Sequence, residues 1–261
     1  MNISLQGKNA IVCGSTQGIG RAAAKELAQL GASCTLLARN EQSLQQVMQD
    51  LDQASGQRHE YYAVDFSDTE MVKKTVRQIV SSKTIHILIN NTGGPKAGPI
   101  IDAAEEEFTN AFQQHLVNNH HLTQAVVPGM KQAGFGRIIN IISTSVKTPL
   151  ANLGVSNTIR AAVASWAKTM ANELAQFNIT VNSVLPGYTD TQRLRSLIDT
   201  NAGRRGVAKE VIEREMMESI PMKRFGDASE IAAVIAFLAS PAASFVNGVS
   251  IPVDGGKTGT V

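Results

Sequence analysis

Ala10-Ile-Val-Cys13-Gly14-Ser-Thr-Gln-Gly18-Ile-Gly20 is the stretch on which the fold turns. Ala10 to Cys13 is a short, continuously apolar run that ends on glycine, the pattern of a strand buried on both faces. From Ile19 onward the apolar residues Ala22, Ala23, Leu27 and Leu30 return at helical spacing. Three glycines therefore sit between a predicted strand and a predicted helix. Gly14 suits a tight turn, Gly18 lets backbone approach a pyrophosphate, and Gly20 lets helix and strand pack closely. Ser15, Thr16 and Ile19 belong to the same loop and are candidate contacts. A helix beginning there presents free N–H groups to an anion. The stretch reads as a dinucleotide-phosphate loop.

Working outward, strand candidates recur at Cys34–Ala38, Tyr61–Val64, Ile85–Ile89, Arg137–Ile142, Ile179–Val184 and Val249–Val253, with helical patterns between nearly all of them. Asn40 is placed to cap the helix after the second strand. Alternation of this kind implies parallel strands with right-handed crossovers. The expectation is one doubly wound α/β domain over residues 1–261, with a mostly parallel sheet of seven strands. Residues 190–220 contain no strand and are rich in Arg, Glu and Met, so they are expected to form a substrate lid.

Composition excludes several classes. A 43% hydrophobic fraction is ample for a large core, and a net charge of +2 gives no nucleic-acid footprint. No apolar run reaches the roughly 18 residues of a membrane helix, and no leader pattern opens the chain. Cys13 and Cys34 lie in apolar runs and make no disulfide framework. No His/Cys/Asp/Glu cluster has metal-ligand spacing, so no metal is expected. A cytoplasmic protein with no nucleic-acid or membrane partner is the default.

At the end of the second strand the chain reads Ala38-Arg39-Asn40. A carboxylate there commonly holds the ribose 2′-hydroxyl of NAD, and an arginine nearby accommodates the 2′-phosphate of NADP. Arg39 supplies the guanidinium, so NADP(H) is favoured over NAD(H). Glu41 could reach a ribose, but as a first-turn acid it also complements the helix dipole.

The chain resembles the short-chain dehydrogenase/reductase family along essentially its whole length. The glycine loop, Asp65 after the third strand, Asn90-Asn91-Thr92-Gly93, Pro186-Gly187 and Val253-Asp254-Gly255-Gly256 resemble the family's motifs in their order. Its nearest look is to β-ketoacyl-ACP-reductase-like members, within a divergent branch. The resemblance implies a Rossmann fold, a carbonyl or alcohol substrate, and a homotetramer or homodimer. It also implies cofactor contacts at Asp65, Asn91, Gly93, Pro186, Gly187 and Thr189.

The family's chemistry uses Asn, Ser, Tyr and Lys, and here the resemblance departs. Ser143 fits the Ser. Thirteen residues on stands Ser156 in place of Tyr, and four further Arg160 in place of Lys; His115 falls where the family has Asn. A serine hydroxyl is too weak an acid to replace the phenol near neutrality. Arg160 keeps a positive charge for the nicotinamide ribose but cannot transfer a proton. Three substitutes for the proton donor are open: His115, with an unperturbed pKa near ~6.5; Tyr188, beside Pro186-Gly187; or water held by Ser143 and Ser156. The leading expectation is an NADP(H)-dependent oxidoreductase of 3-oxoacyl-reductase type with an atypical proton relay. The alternatives are a catalytically impaired NADP(H) sensor or a structural subunit on the same scaffold.

Overall fold

The computed structural model describes residues 1–260. Its elements run β1 (Asn9–Cys13), α1 (Gly18–Gln29), β2 (Ser33–Ala38), α2 (Glu41–Gln49), β3 (Glu60–Ala63), α3 (Thr69–Ser82), β4 (Ile87–Asn90), α4 (Glu105–Phe112), α5 (Asn118–Ala133), β5 (Gly136–Ile141), α6 (Gly154–Leu174), β6 (Ile179–Pro186), α7 (Gln192–Arg205), α8 (Lys209–Glu218), α9 (Ala228–Ala239) and β7 (Ser250–Val253). The seven strands form one sheet in the order β3-β2-β1-β4-β5-β6-β7. Every neighbouring pair is parallel, so "mostly parallel" is corrected to wholly parallel.

Strand residues explain the continuous apolar runs. Ala10, Val12, Ile87, Ile89, Ile139 and Ile141 enter one buried cluster, which α1 and α9 cover. Ile11, Cys13, Leu88 and Ile138 point to the other face, into a cluster under α3, α5 and α6. Successive side chains alternate between faces, and both faces are covered, so the strands are largely apolar; buried exceptions such as Asn90 and Asn140 bond each other at 2.9 Å.

Local chemistry starts the helices where expected. Asn40 accepts the Ser43 amide at 2.8 Å and caps α2. Asp68 does the same for α3 through Met71 at 2.9 Å. Asp227 and Glu230 form a reciprocal capping box on α9. α5 runs through Pro128 to Ala133, with the proline inside it. Gly134 then ends it in the left-handed conformation, at φ 59°.

Residues 190–220 carry the two helices α7 and α8. They hold a small cluster of their own, in which Leu194, Ile198, Ala202, Ile212 and Met216 are buried against Tyr188 and Phe225. Arg205 bonds Glu215 across the two helices. Among the described residues no helix is long and apolar enough to cross a membrane.

Both cysteines are fully buried, and burial pushes their thiols up to about 12. The thiolate is the reactive form. We therefore expect a thiol-specific disulfide reagent to label neither at pH 8 in the native protein and both once guanidinium unfolds it; prompt labelling of the native chain would contradict this burial.

Candidate active site

The sheet order reverses between β1 and β4, where ligands bind in open α/β sheets. The glycine loop lies at that crevice. Gly14 and Gly18 have φ of +59° and +51°, a region side chains rarely adopt. A Cβ on Gly20 would stand 2.1 Å from the Gly14 carbonyl oxygen. The turn is braced from β4: the Asn91 side-chain amide donates to the Cys13 and Gly14 carbonyls at 3.2 and 3.3 Å. No side chain caps α1, so its first-turn amides are open to an anion.

These features fit a dinucleotide, with qualifications on individual residues. The Ser15 side chain is buried, and its hydroxyl faces the Leu37 carbonyl at 3.5 Å, which leaves its backbone for the loop's ligand. Thr16 and Ile19 remain partly exposed at the crevice. A Cβ on Gly93 would meet nothing within 4 Å, so backbone there faces open space. Gly187 has a different reason to be glycine: its Cβ would lie 2.6 Å from Asp254 Cβ. Asp254 in turn accepts the amides of Gly256 and Thr258 at 3.0 and 2.7 Å. The Val253–Gly256 motif is thus a turn that pins the chain after Pro186. Thr189 is buried and its hydroxyl donates to the Gly187 carbonyl at 3.2 Å. Thr191, which the sequence reading passed over, reaches the loop instead. Its Cγ2 is 3.1 Å from the Cβ position of Gly18, while its hydroxyl accepts the Leu194 amide and caps α7.

At the C-terminal end of β2, Arg39 is exposed. Asp65 lies close enough to feel its charge. The Asp65 carboxyl is held below its usual range, mainly by the Ser67 amide and then by the Ser67 hydroxyl, with a smaller contribution from Arg39. Both stand at strand C-termini on the same side of the crevice.

Arg160 and His115 meet at the chain after β4, and Arg160 and Ser143 lie at the end of β5. Arg160 is buried, and its guanidinium donates to the Ile141 carbonyl at 3.0 Å and the Thr92 carbonyl at 3.4 Å. It ties the end of β5 to the chain after β4. Burial, and then the charge of Arg193, lower its pKa to about 10. Ser143 follows β5 in extended conformation and accepts the Ser145 amide at 3.1 Å. Ser156 is half-buried, one turn before Arg160 on α6.

His115 sits in a π-helical turn, Gln113–Val117, between α4 and α5. Such turns insert an extra residue and re-aim side chains, and they concentrate at functional sites. Here the turn buries His115 and brings Nδ1 into a hydrogen bond with the Thr92 hydroxyl. Burial, then the charges of Arg160 and Arg193, push its pKa down to about 2. The expected titration near 6.5 is corrected: the imidazole is neutral at physiological pH, and its acid form is unavailable. Tyr188 is also a poorer acid than expected, because burial raises its pKa. It packs edge-on against Phe225 with centroids 6.5 Å apart, and lies under Lys257. Tyr188 lines a cavity of about 240 Å³ between the loop Leu150–Leu153 and the helices α7 and α8, with Leu197 and Met216 opposite.

This fold and crevice define a dinucleotide-binding α/β protein. The family model described as enoyl-(acyl carrier protein) reductase matches residues 14–258. The 3-oxoacyl-[acyl-carrier-protein] reductase of Pseudomonas aeruginosa is 34% identical over 257 residues, covering 97% of this chain and 98% of that protein. The NADPH-dependent reductase BacG of Bacillus subtilis is 33% identical over 253 residues, covering 96% and 97%. The structure of L-sorbose reductase from Gluconobacter frateurii, complexed with NADPH and L-sorbose, superposes with a TM-score of 0.93 at 31% identity, covering all of both chains. The chain belongs to the short-chain dehydrogenase/reductase family and is an NAD(P)-dependent oxidoreductase.

Proposed function

We propose that the protein reduces the carbonyl group of a small molecule with NADPH, using an atypical proton relay. The observation that carries this reading is the glycine cradle closed by Asn91, with the uncapped start of α1 beside it. Gly14, Gly18, Gly20 and the α1 amides would hold the pyrophosphate, Thr191 would close over it, and Gly93 leaves room for the nicotinamide side. Arg39 would grip the 2′-phosphate, and Asp65 would face the adenine. The NADPH complex of L-sorbose reductase and the name of BacG support the cofactor choice. Bound NADPH supplies the hydride.

The chain's own residues then have to orient the carbonyl and provide a proton. Arg160, fixed to two carbonyls, would hold the nicotinamide ribose as a permanent cation. Ser143 would hydrogen-bond the substrate carbonyl. Neither His115 nor Tyr188 offers an acid of suitable strength. The remaining relay is water ordered by the hydroxyls of Ser143 and Ser156, with the neutral His115 orienting the Thr92 hydroxyl behind it. The helices α7 and α8 would act as a lid over the cavity beside Tyr188. A cytoplasmic homotetramer or homodimer is the accompanying expectation.

The test is a fluorescence titration with NADPH and NADH, followed by a carbonyl screen. NADPH should bind more tightly than NADH and be consumed. Replacing Arg39 with alanine removes a charge-assisted contact, so NADPH affinity should fall roughly tenfold to a hundredfold while NADH affinity stays. Binding without consumption of NADPH would favour the sensor alternative; no binding of either cofactor would leave a structural subunit.

A further inference from the structure

Two guanidinium groups enter the reaction end of the crevice without a carboxylate. Arg160 reaches it from α6 and Arg193 from α7, and they bind the same short segment. Arg160 donates to Thr92 O, and Arg193 donates to Pro95 O at 2.5 Å. The Arg193 guanidinium lies over Gly94, where a Cβ would be 3.3 Å from its Nη2. Among the described residues, seven ion pairs form, and neither arginine takes part in one.

Arg160 is buried, whereas Arg193 is exposed. A buried cation such as Arg160 is normally paired, because desolvation is otherwise uncompensated. The charge of Arg193 reaches this pocket: it lowers the pKa of Arg160 and of His115, in each case as a smaller cause than burial. A guanidinium has five N–H donors in a fixed fork, matched to a planar oxyanion. Arg193 spends one side of that fork on Pro95 and keeps solvent contact. The cofactor's own anions have other partners. The pyrophosphate belongs at α1, where Thr191 meets Gly18, and Arg39 stands after the C-terminus of β2. Arg193 lies over Gly94 and bonds Pro95, and its charge is felt by His115 and Arg160.

Resting on the reading of this crevice as a carbonyl-reducing site, we infer that the substrate is an oxo acid whose carboxylate is bound by Arg193, with Arg160 adding to the positive field. The carboxylate seats at the Thr92–Pro95 segment. The remainder of the substrate extends toward the neighbouring cavity, whose lining is mixed: Tyr188, Leu197 and Met216 form apolar walls, and Arg204, Arg205 and Glu215 form polar ones. Arg193 is the specificity-determining residue, because it belongs to the lid rather than to the sheet.

The experiment uses benzoylformate and 4-oxo-4-phenylbutanoate, each beside its methyl ester. Binding to the intact protein is measured by calorimetry, alone and with NADPH, and turnover is followed by NADPH consumption. At least one acid should bind tenfold or more tightly than its ester, and Arg193→Gln should erase that preference without altering NADPH affinity. Arg195→Gln serves as the charge control, since Arg195 is exposed and paired with Asp190 at 3.2 Å; it should preserve the preference. The inference is overturned if neither acid outbinds its ester in either state, or if Arg193→Gln leaves a preference intact. It is equally overturned if that variant weakens NADPH instead, which would make Arg193 a cofactor-phosphate ligand. Acid-selective binding without NADPH consumption would support Arg193 and refute the reductase reading, so the two fail separately.

Discussion

Gly20→Ala should abolish measurable NADPH binding at ordinary assay concentrations and lower the melting temperature by roughly 10 °C. The added methyl would stand 2.1 Å from the Gly14 carbonyl oxygen and 2.7 Å from the Asn91 side-chain nitrogen. Its first obstacle is backbone, which cannot swing aside as a flexible side chain can. Overpacking of a tight site costs about 1–3 kcal/mol, and a backbone collision falls at the upper end. At 2–4 °C per kcal/mol for a chain of this size, that is the melting shift expected. Binding suffers more than stability. The collision is relieved by moving the Gly14 turn away from α1, which separates the two sets of amides that would meet the pyrophosphate. A displacement of that kind should weaken NADPH at least about a hundredfold. Calorimetric titration and a thermal melt of the variant check both. Unchanged NADPH affinity in a folded Gly20→Ala protein would mean that the cofactor does not lie on this turn.

His115 should make the protein acid-labile in a way that a single substitution removes. In the unfolded chain its imidazole takes up a proton near pH 6.5. In the folded chain it does so only at about 2, because burial and two arginine charges oppose it. Below pH 6.5 the unfolded state therefore binds a proton that the native state does not, and stability falls as pH drops. Between pH 8 and pH 5 this one group should cost about 2 kcal/mol. Above pH 6.5 it should contribute nothing. His115→Asn, compared with wild type by urea unfolding at both pH values, should show a loss on acidification smaller by about that amount. Taking the difference cancels the other titrating groups and any fixed cost of the substitution. Equal pH dependence in the two proteins would show that the imidazole is not held neutral, and would reopen its candidacy as the proton donor.

The two expectations differ in how far they can be traced to the chain itself. The strands, the glycine turn and the caps were legible because each depends on neighbours in sequence. An apolar run between glycines is a strong local signal for a buried strand, and Asn40 caps α2 through an amide three residues on. The spacing of the family's motifs placed Ser143, Ser156, Arg160 and His115 on the elements that converge at β4 and β5. That much followed from residue identity and order.

What each group does there was decided by atoms distant in sequence. Ser15 and Thr189 carry hydroxyls that a sequence reading offers to a cofactor, yet both face backbone carbonyls. Gly187 is held to glycine by the close approach of Asp254, a residue far along the chain. Thr191 and Arg193 meet Gly18 and the Gly94–Pro95 segment across long stretches of chain, a placement with no local signal. His115 is the clearest case. Its ordinary pKa follows from its being a histidine, but protonation is a balance of solvation and charge. The π-helical turn removes the water, and Arg160 and Arg193 supply the repulsion. The sequence by itself determined the scaffold and the roster of groups, because secondary structure and turn chemistry are short-range. Only the tertiary structure decided their protonation and partners, because desolvation and Coulomb energies depend on neighbours that the chain brings together from far apart.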